Sequence, residues 1–277
     1  MRVVPRLPVA GTELYCERRG DGEPLLLIQG LGAHSAHWGE RFLAKLERDL
    51  ELILFDHRGV GRSAALDRAA ITTADLARDA LELLDALQIE RAHVLGFSMG
   101  GMVAQELALS APERVRTLTL GATSAGGTQS RPTSPQVVQE LTAAALSGDR
   151  ERMLRTGLRI VVSAPFAAQP GNHAEFREVA SLYPADLSLL MTQQAAVDGH
   201  DTYGRLRGVR LPTLVIHGTA DRVLDVINGE LLASLVAGAR LELLHGAGHL
   251  FFWEQPERSA QLVRAHAATG AAGATSH

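Results

Sequence analysis

Apolar residues in this chain fall into short unbroken runs, separated by longer stretches whose apolar positions recur with a helical period. The runs 25–29, 52–56, 92–97, 117–120, 213–217 and 241–244 read as strands. Several of them are apolar at consecutive positions, the pattern of parallel strands covered on both faces. Residues 3–19 read as a hairpin turning at Gly11, with Leu14, Tyr15 and Cys16 in the return strand. Between strands, 72–87 reads as a helix. Thr72 and Asp75 are spaced as a capping box, and Leu76, Ala80, Leu83, Leu84 and Leu87 form its apolar stripe. Strand alternating with helix predicts an α/β fold with a doubly wound, mostly parallel sheet.

One stretch interrupts the alternation. From 124 to 208 there is no buried-strand pattern, only helical pieces, opened by a Gly/Ser/Thr/Pro-rich segment at 126–135. Asn172 with Glu175 reads as one helix start, and Pro184 as another, with Leu187, Leu190, Met191 and Gln194 along one side. The expectation is a core domain of 1–123 and 209–270 carrying a helical cap (lid) of 124–208 over the carboxyl edge of its sheet. Residues 267–277 are small and polar, and 271–277 read as a flexible tail.

Composition removes several function classes. A net charge of −4 gives no electrostatic case for nucleic acid or anionic membrane as a partner. The single cysteine, Cys16, cannot form an internal disulfide, and no apolar run is long enough to span a bilayer. The residues after Met1 lack a signal-peptide apolar core. These features fit a soluble, cytoplasmic protein.

The candidate chemistry begins at Gly96-Phe97-Ser98-Met99-Gly100, which lies between a strand run and a helical run. In that context G-x-S-x-G is a sharp turn that lifts the serine hydroxyl above the sheet as a nucleophile. Such a serine needs a base and an acid to orient the base. His249 follows the run 241–244 in the glycine-rich loop 245–249, and Asp221 follows the run 213–217; both lie where α/β sheets bind ligands. The order Ser98, Asp221, His249 is that expected when the serine sits on such an elbow. Asp225, four residues on, is the competing acid. Oxyanion donors are expected from the backbone N–H groups of Met99 and of Leu31, in the loop Gln29-Gly30-Leu31-Gly32. Gly30, His34, Trp38, Phe166, Tyr183, Leu187, Leu190, Met191, Phe251 and Trp253 are the candidate pocket wall. No metal or cofactor is called for: Gly246 and Gly248 argue against a helix aligning His245 with His249, and His34 and His37 suit packing or pocket lining.

With Gln29-Gly30-Leu31-Gly32, 56–63 (Asp-His-Arg-Gly-Val-Gly-Arg-Ser), 96–101, 218–221 and Gly248-His249 together, the chain resembles the α/β-hydrolase superfamily over nearly its whole length. It is similar to the small esterase and lactonase branch that includes the 3-oxoadipate enol-lactonases. That branch usually has histidine before the oxyanion glycine, where this chain has Gln29. The resemblance implies a small-molecule ester or lactone substrate and hydrolysis through a covalent acyl-enzyme. Thioesterases, C–C bond hydrolases and perhydrolases use the same motifs. Two other classes remain: a ligand receptor on the same fold, and a dinucleotide-dependent oxidoreductase. The latter would use Gly30, Gly32 and Asp56, but Ser35 stands where its third glycine belongs.

Overall fold

A computed structural model describes residues 2–9, 11–65 and 70–272. Strands β1 (Arg2–Val9) and β2 (Thr12–Arg19) form the expected antiparallel hairpin, and Gly11 takes a left-handed φ of 75° at its turn. Six further strands follow: β3 (Glu23–Ile28), β4 (Leu50–Phe55), β5 (Ala92–Phe97), β6 (Val115–Gly121), β7 (Thr213–Gly218) and β8 (Arg240–Leu244). They make one eight-stranded sheet in the order β1-β2-β4-β3-β5-β6-β7-β8, parallel from β4 to β8.

The unbroken apolar runs have a direct cause in this sheet. Leu26 and Ile28 of β3 enter one core, with Val94, Leu118, Leu120 and Val215. Leu25 and Leu27 enter a second core on the opposite face, with Leu95, Leu214 and Ile216. Neighbouring residues of a strand point to opposite faces, so burial of both faces requires apolar residues in succession. The first core is closed by α2 (Thr73–Ala86), α3 (Met99–Ser110) and α9 (Ile227–Leu235), and the second by α1 (Glu40–Leu46), α10 (Phe251–Glu254) and α11 (Pro256–Ala272). At α2 the Thr72 hydroxyl accepts from the Asp75 N–H, and the Asp75 carboxylate accepts from the Thr72 N–H.

Between β6 and β7 lie five α-helices: α4 (Pro135–Leu146), α5 (Arg150–Val161), α6 (Ala164–Ala167), α7 (Pro170–Leu182) and α8 (Leu187–Asp198). Two of their starts differ from expectation. Pro170 opens α7, so Asn172 lies inside it and uses its amide to donate to the Phe166 carbonyl. Pro184 stays in the preceding loop, and Asp186 caps α8 by accepting from the Leu189 N–H at 2.7 Å. The two ends of the insertion meet at a narrow neck. Thr202 N–H donates to Ala125 O, Gly127 N–H donates to His200 O, and Gly126 bridges Asp201. The residues that follow are already part of the core, since Leu206 is buried beside α3 and Arg205 pairs with Glu106.

The fraying expected from residue 267 does not occur, because α11 continues to Ala272. Alanine-rich sequence favours a helix, and this one is held on the sheet. The His266 Nε2 lies 3.2 Å from both Leu118 O and Pro212 O, and Ala267 is buried. The remainder of the expected tail, 273–277, lies outside the described residues. Among the described residues no helix is long and apolar enough to cross a membrane.

Candidate active site

Ser98 joins β5 to α3 with φ 55° and ψ −123°, a conformation that costs a non-glycine residue about 1–3 kcal/mol. Neighbouring bonds over-determine it. Its N–H donates to Gly121 O at 2.9 Å, and its own carbonyl accepts from the Gly101 N–H and the Thr123 hydroxyl. The flanking glycines have steric causes: a Cβ on Gly96 would strike the Gly100 carbonyl, and one on Gly100 would strike the Ile28 carbonyl. Sequence-adjacent Phe97 packs its ring on His249, with centroids 4.8 Å apart.

His249 and Asp221 meet because the loops after β7 and β8 are stitched together. Thr219 N–H donates to Leu244 O, Ala220 N–H to Ala247 O, and Gly246 N–H to the Thr219 hydroxyl. His249 Nδ1 thereby lies 2.7 Å from Asp221 Oδ2. The other carboxylate oxygen accepts from the N–H groups of Val223 and Leu224 at 2.8 and 3.0 Å. Burial by itself would push the Asp221 carboxyl up. The charge of His249 and the hydrogen bonds from His217 and His249 outweigh it, holding the carboxyl well below the usual carboxylate range. Asp225 is placed elsewhere: it pairs with Arg131 at 2.8 Å and accepts from the Ile227 N–H at the start of α9.

Leu31 sits in a turn closed by Ala33 N–H to Gly30 O, and a Cβ on Gly30 would lie 3.1 Å from Ser98 Cβ. Met99 opens α3, so its N–H has no carbonyl four residues back to reach. Gln29, in place of the usual histidine, leaves the turn intact, because its side-chain oxygen accepts from the Gly30 N–H at 2.8 Å. The insertion presses on the same turn: a Cβ on Gly32 would strike Leu190 Cδ2 at 2.5 Å. It also reaches His34, whose Nε2 lies 3.2 Å from Val179 O. Burial pushes His34 down, and pushes neighbouring His37 down to about 3.

Other pocket candidates fall differently. Leu187 and Met191 are 71% and 64% exposed, because α8 buries Leu189, Gln193 and Ala196 instead of the expected stripe. Trp38, Phe251 and Trp253 are core residues; the Trp38 ring packs on Phe42, Phe97 and Phe252, and Trp253 Nε1 donates to His37 O. Phe166 joins Trp38 and Trp253 around a crevice of about 10 Å³, room for about one water. Tyr183 faces the Arg62 guanidinium and the His34 ring.

The segment 56–63 is structural. Asp56 is fully buried and accepts from the Ser35 N–H at 2.7 Å and the Arg62 N–H at 2.9 Å, leaving neither oxygen for a ribose. Arg58 forms a buried pair with Asp79 of α2.

Three polar residues near the site were not apparent from sequence. His217 of β7 is buried with its Nε2 3.2 Å from Asp221 Oδ2 and 2.9 Å from Leu224 O; its spacing of four before Asp221 was the available signal. Glu254 accepts from Gly248 N–H at 2.7 Å and Ser163 N–H at 3.0 Å, and bonds the Ser163 hydroxyl. Gln193 of α8 accepts from the Gly32 N–H at 2.7 Å. Gln193 has no local motif, since Gly32 lies far away in sequence, and Glu254 has a nearby partner in Gly248 but a distant one in Ser163.

A sheet of this order, with a serine on its β5–α3 turn and an Asp–His pair beyond β7 and β8, is the architecture of an α/β hydrolase. Residues 23–256 match the family model for the alpha/beta hydrolase fold, and the chain belongs to that family. Among its relatives is RutD of Azorhizobium caulinodans, named as a carbamate hydrolase, at 31% identity over 88% of this chain and 91% of the relative. Among solved structures, the enol-lactonase of Burkholderia xenovorans LB400 superposes with a TM-score of 0.82 at 29% identity, covering 95% of this chain and 99% of that one. A hydrolase of Pseudomonas aeruginosa PA01 gives a TM-score of 0.81 at 32% identity, covering 96% and 98%. The protein is a hydrolase of this family.

Proposed function

We propose that the protein hydrolyses carboxylic esters, lactones included, through a covalent acyl-enzyme. Ser98 attacks the carbonyl carbon while His249 Nε2 takes its proton. Asp221 holds the opposite ring nitrogen and stabilises the imidazolium. The N–H groups of Leu31 and Met99 receive the oxyanion. The imidazolium then protonates the leaving alcohol, and a water deprotonated by His249 releases the acid and restores Ser98. Helices α4–α8 act as a cap that shapes the acyl and alcohol sites.

The observation that carries this reading is the 2.7 Å His249–Asp221 contact, with Phe97, the neighbour of a serine held at φ 55°, packed on the imidazole. A fluorophosphonate probe, a panel of p-nitrophenyl esters and lactones, and Ser98→Ala test it. The expected result is one label, mapped to Ser98, and loss of nearly all turnover in the variant. A label elsewhere on active protein overturns it. Carbamates are the second reading, favoured by the RutD relative, because attack on their carbonyl forms the same kind of oxyanion; adding them to the panel decides between the two.

A further inference from the structure

The turn that carries Leu31 is gripped by two carboxamides from different elements. Gln29, at the end of β3, accepts from the Gly30 N–H at 2.8 Å, and Gln193, on α8, accepts from the Gly32 N–H at 2.7 Å. Both side chains are buried, at 1% and 0% exposure. A backbone N–H requires an acceptor, so in each case the amide oxygen faces the turn and the amide nitrogen is the free end. Among the described residues neither Nε2 has a hydrogen-bond partner. Buried donors are nearly always paired, and an orphan beside a reacting centre calls for a bound group. Here there are two, bracketing a proposed oxyanion donor.

The geometry points to a polar subsite in which the Gln29 and Gln193 amide nitrogens donate to a second, neutral carbonyl oxygen on the acyl part of the substrate. This rests on the reading of Ser98 as nucleophile and Leu31 as oxyanion donor. Both donors are uncharged, and a carbonyl oxygen has two lone pairs, one for each. A carboxylate buried there would lack a countercharge from these two residues, and burying an uncompensated charge costs far more than burying a dipole. A purely hydrocarbon acyl chain would leave both donors orphaned. The substrate class is therefore an ester or lactone whose acyl part bears a ketone or amide carbonyl. Because one donor comes from α8 and the other from β3, the subsite is complete only when the insertion rests on the turn.

The test compares ethyl N-acetylglycinate with ethyl pentanoate, which match in acyl chain length but differ in the extra carbonyl, and includes monoethyl succinate. Gln193→Glu and Gln29→Glu each keep an oxygen for the glycine N–H while removing the NH₂ donors. At pH 8, the wild-type protein should favour ethyl N-acetylglycinate over both other esters in kcat/KM. Each variant should lower the N-acetylglycinate-to-pentanoate ratio tenfold or more, since a site built to donate discriminates strongly. A ratio unchanged in either variant overturns the inference, as does wild-type preference for the succinate. Should a variant fail to fold, Ser98→Ala supplies the answer by direct binding. Its Kd for ethyl N-acetylglycinate should be at least tenfold below that for ethyl pentanoate, and equal values overturn the subsite. Fluorophosphonate labelling of Ser98 separates the two failures: label retained with an unmoved ratio rejects only the subsite, and label absent rejects the serine mechanism.

Discussion

Replacing Asp221 by asparagine should nearly abolish turnover, whereas the same change at Asp225 should leave most of it. The buried Asp221 carboxylate serves four donors: His249 Nδ1 at 2.7 Å, His217 Nε2 at 3.2 Å, and the Val223 and Leu224 N–H groups at 2.8 and 3.0 Å. An asparagine has one acceptor oxygen. The two fixed backbone N–H groups claim it, which turns the NH₂ toward His249 and favours the imidazole tautomer that cannot accept the Ser98 proton. In the serine-protease template that change costs about 10⁴ in kcat, or about 5 kcal/mol at 1.36 kcal/mol per decade. Asp225 offers a contrast, since its side chain is 38% exposed and its ion pair is with the 57% exposed Arg131. Such a pair contributes at most about 1 kcal/mol, so Asp225→Asn should cost tenfold or less, chiefly in stability. Steady-state kinetics on p-nitrophenyl butyrate, with a thermal melt for each variant, makes the comparison. A crippled Asp225→Asn beside a near-normal Asp221→Asn would refute the assignment.

Ser98→Gly should remove turnover yet raise stability by about 1 kcal/mol, because glycine tolerates the positive φ; a lower melting temperature would contradict the strain. His217→Leu should lower kcat about tenfold, since hydrogen bonds to charged groups contribute about 1.5–3 kcal/mol. His217→Gln, which restores a donor, should recover part of it, and equal kinetics in the two variants would remove His217 from the site. Acid should unfold the protein through its buried histidines. Burial pushes His200 and His266 down to about 4, below the ordinary histidine value, so their stabilising effect is full above about pH 6.5 and is lost as pH falls toward 4. The melting temperature should fall across that window and fall less in His266→Gln, and a flat profile would exclude the linkage.

The parts of this molecule legible in its sequence are those whose cause is local. The two-faced burial of β3 forces Leu25 to Ile28 to be apolar in succession, and the elbow cannot form without Gly96 and Gly100. That Asp221 and His249 would meet was legible because each lies in the loop that follows a strand, β7 and β8. The phase of α8 was not legible, because Leu187, Leu190 and Met191 offer as good a stripe as Leu189, Gln193 and Ala196. The structure buries Leu189, Gln193 and Ala196, with Leu190 at their edge against Gly32. Trp38 and Trp253 look the same in sequence whether they line a pocket or fill a core. Gln193 reaches Gly32 across 161 residues and Glu254 reaches Ser163 across 91, distances over which no local pattern carries information.

The Glu254 carboxylate has a consequence for anyone exchanging insertions between members of this family. It fastens the end of α5 to the loop bearing His249, and Leu250 N–H adds a second tie to Val161 O at 2.7 Å. Gly248 allows no bulk there, since a Cβ would lie 2.8 Å from Val162 Cα. Residues 161–163 therefore travel with the His249 loop and belong to the recipient scaffold, although they lie within the foreign segment by sequence. A chimera should take its donor helices on either side of that splice and keep Ser163. One that replaces 161–163 as well would disturb the imidazole before any new substrate arrived.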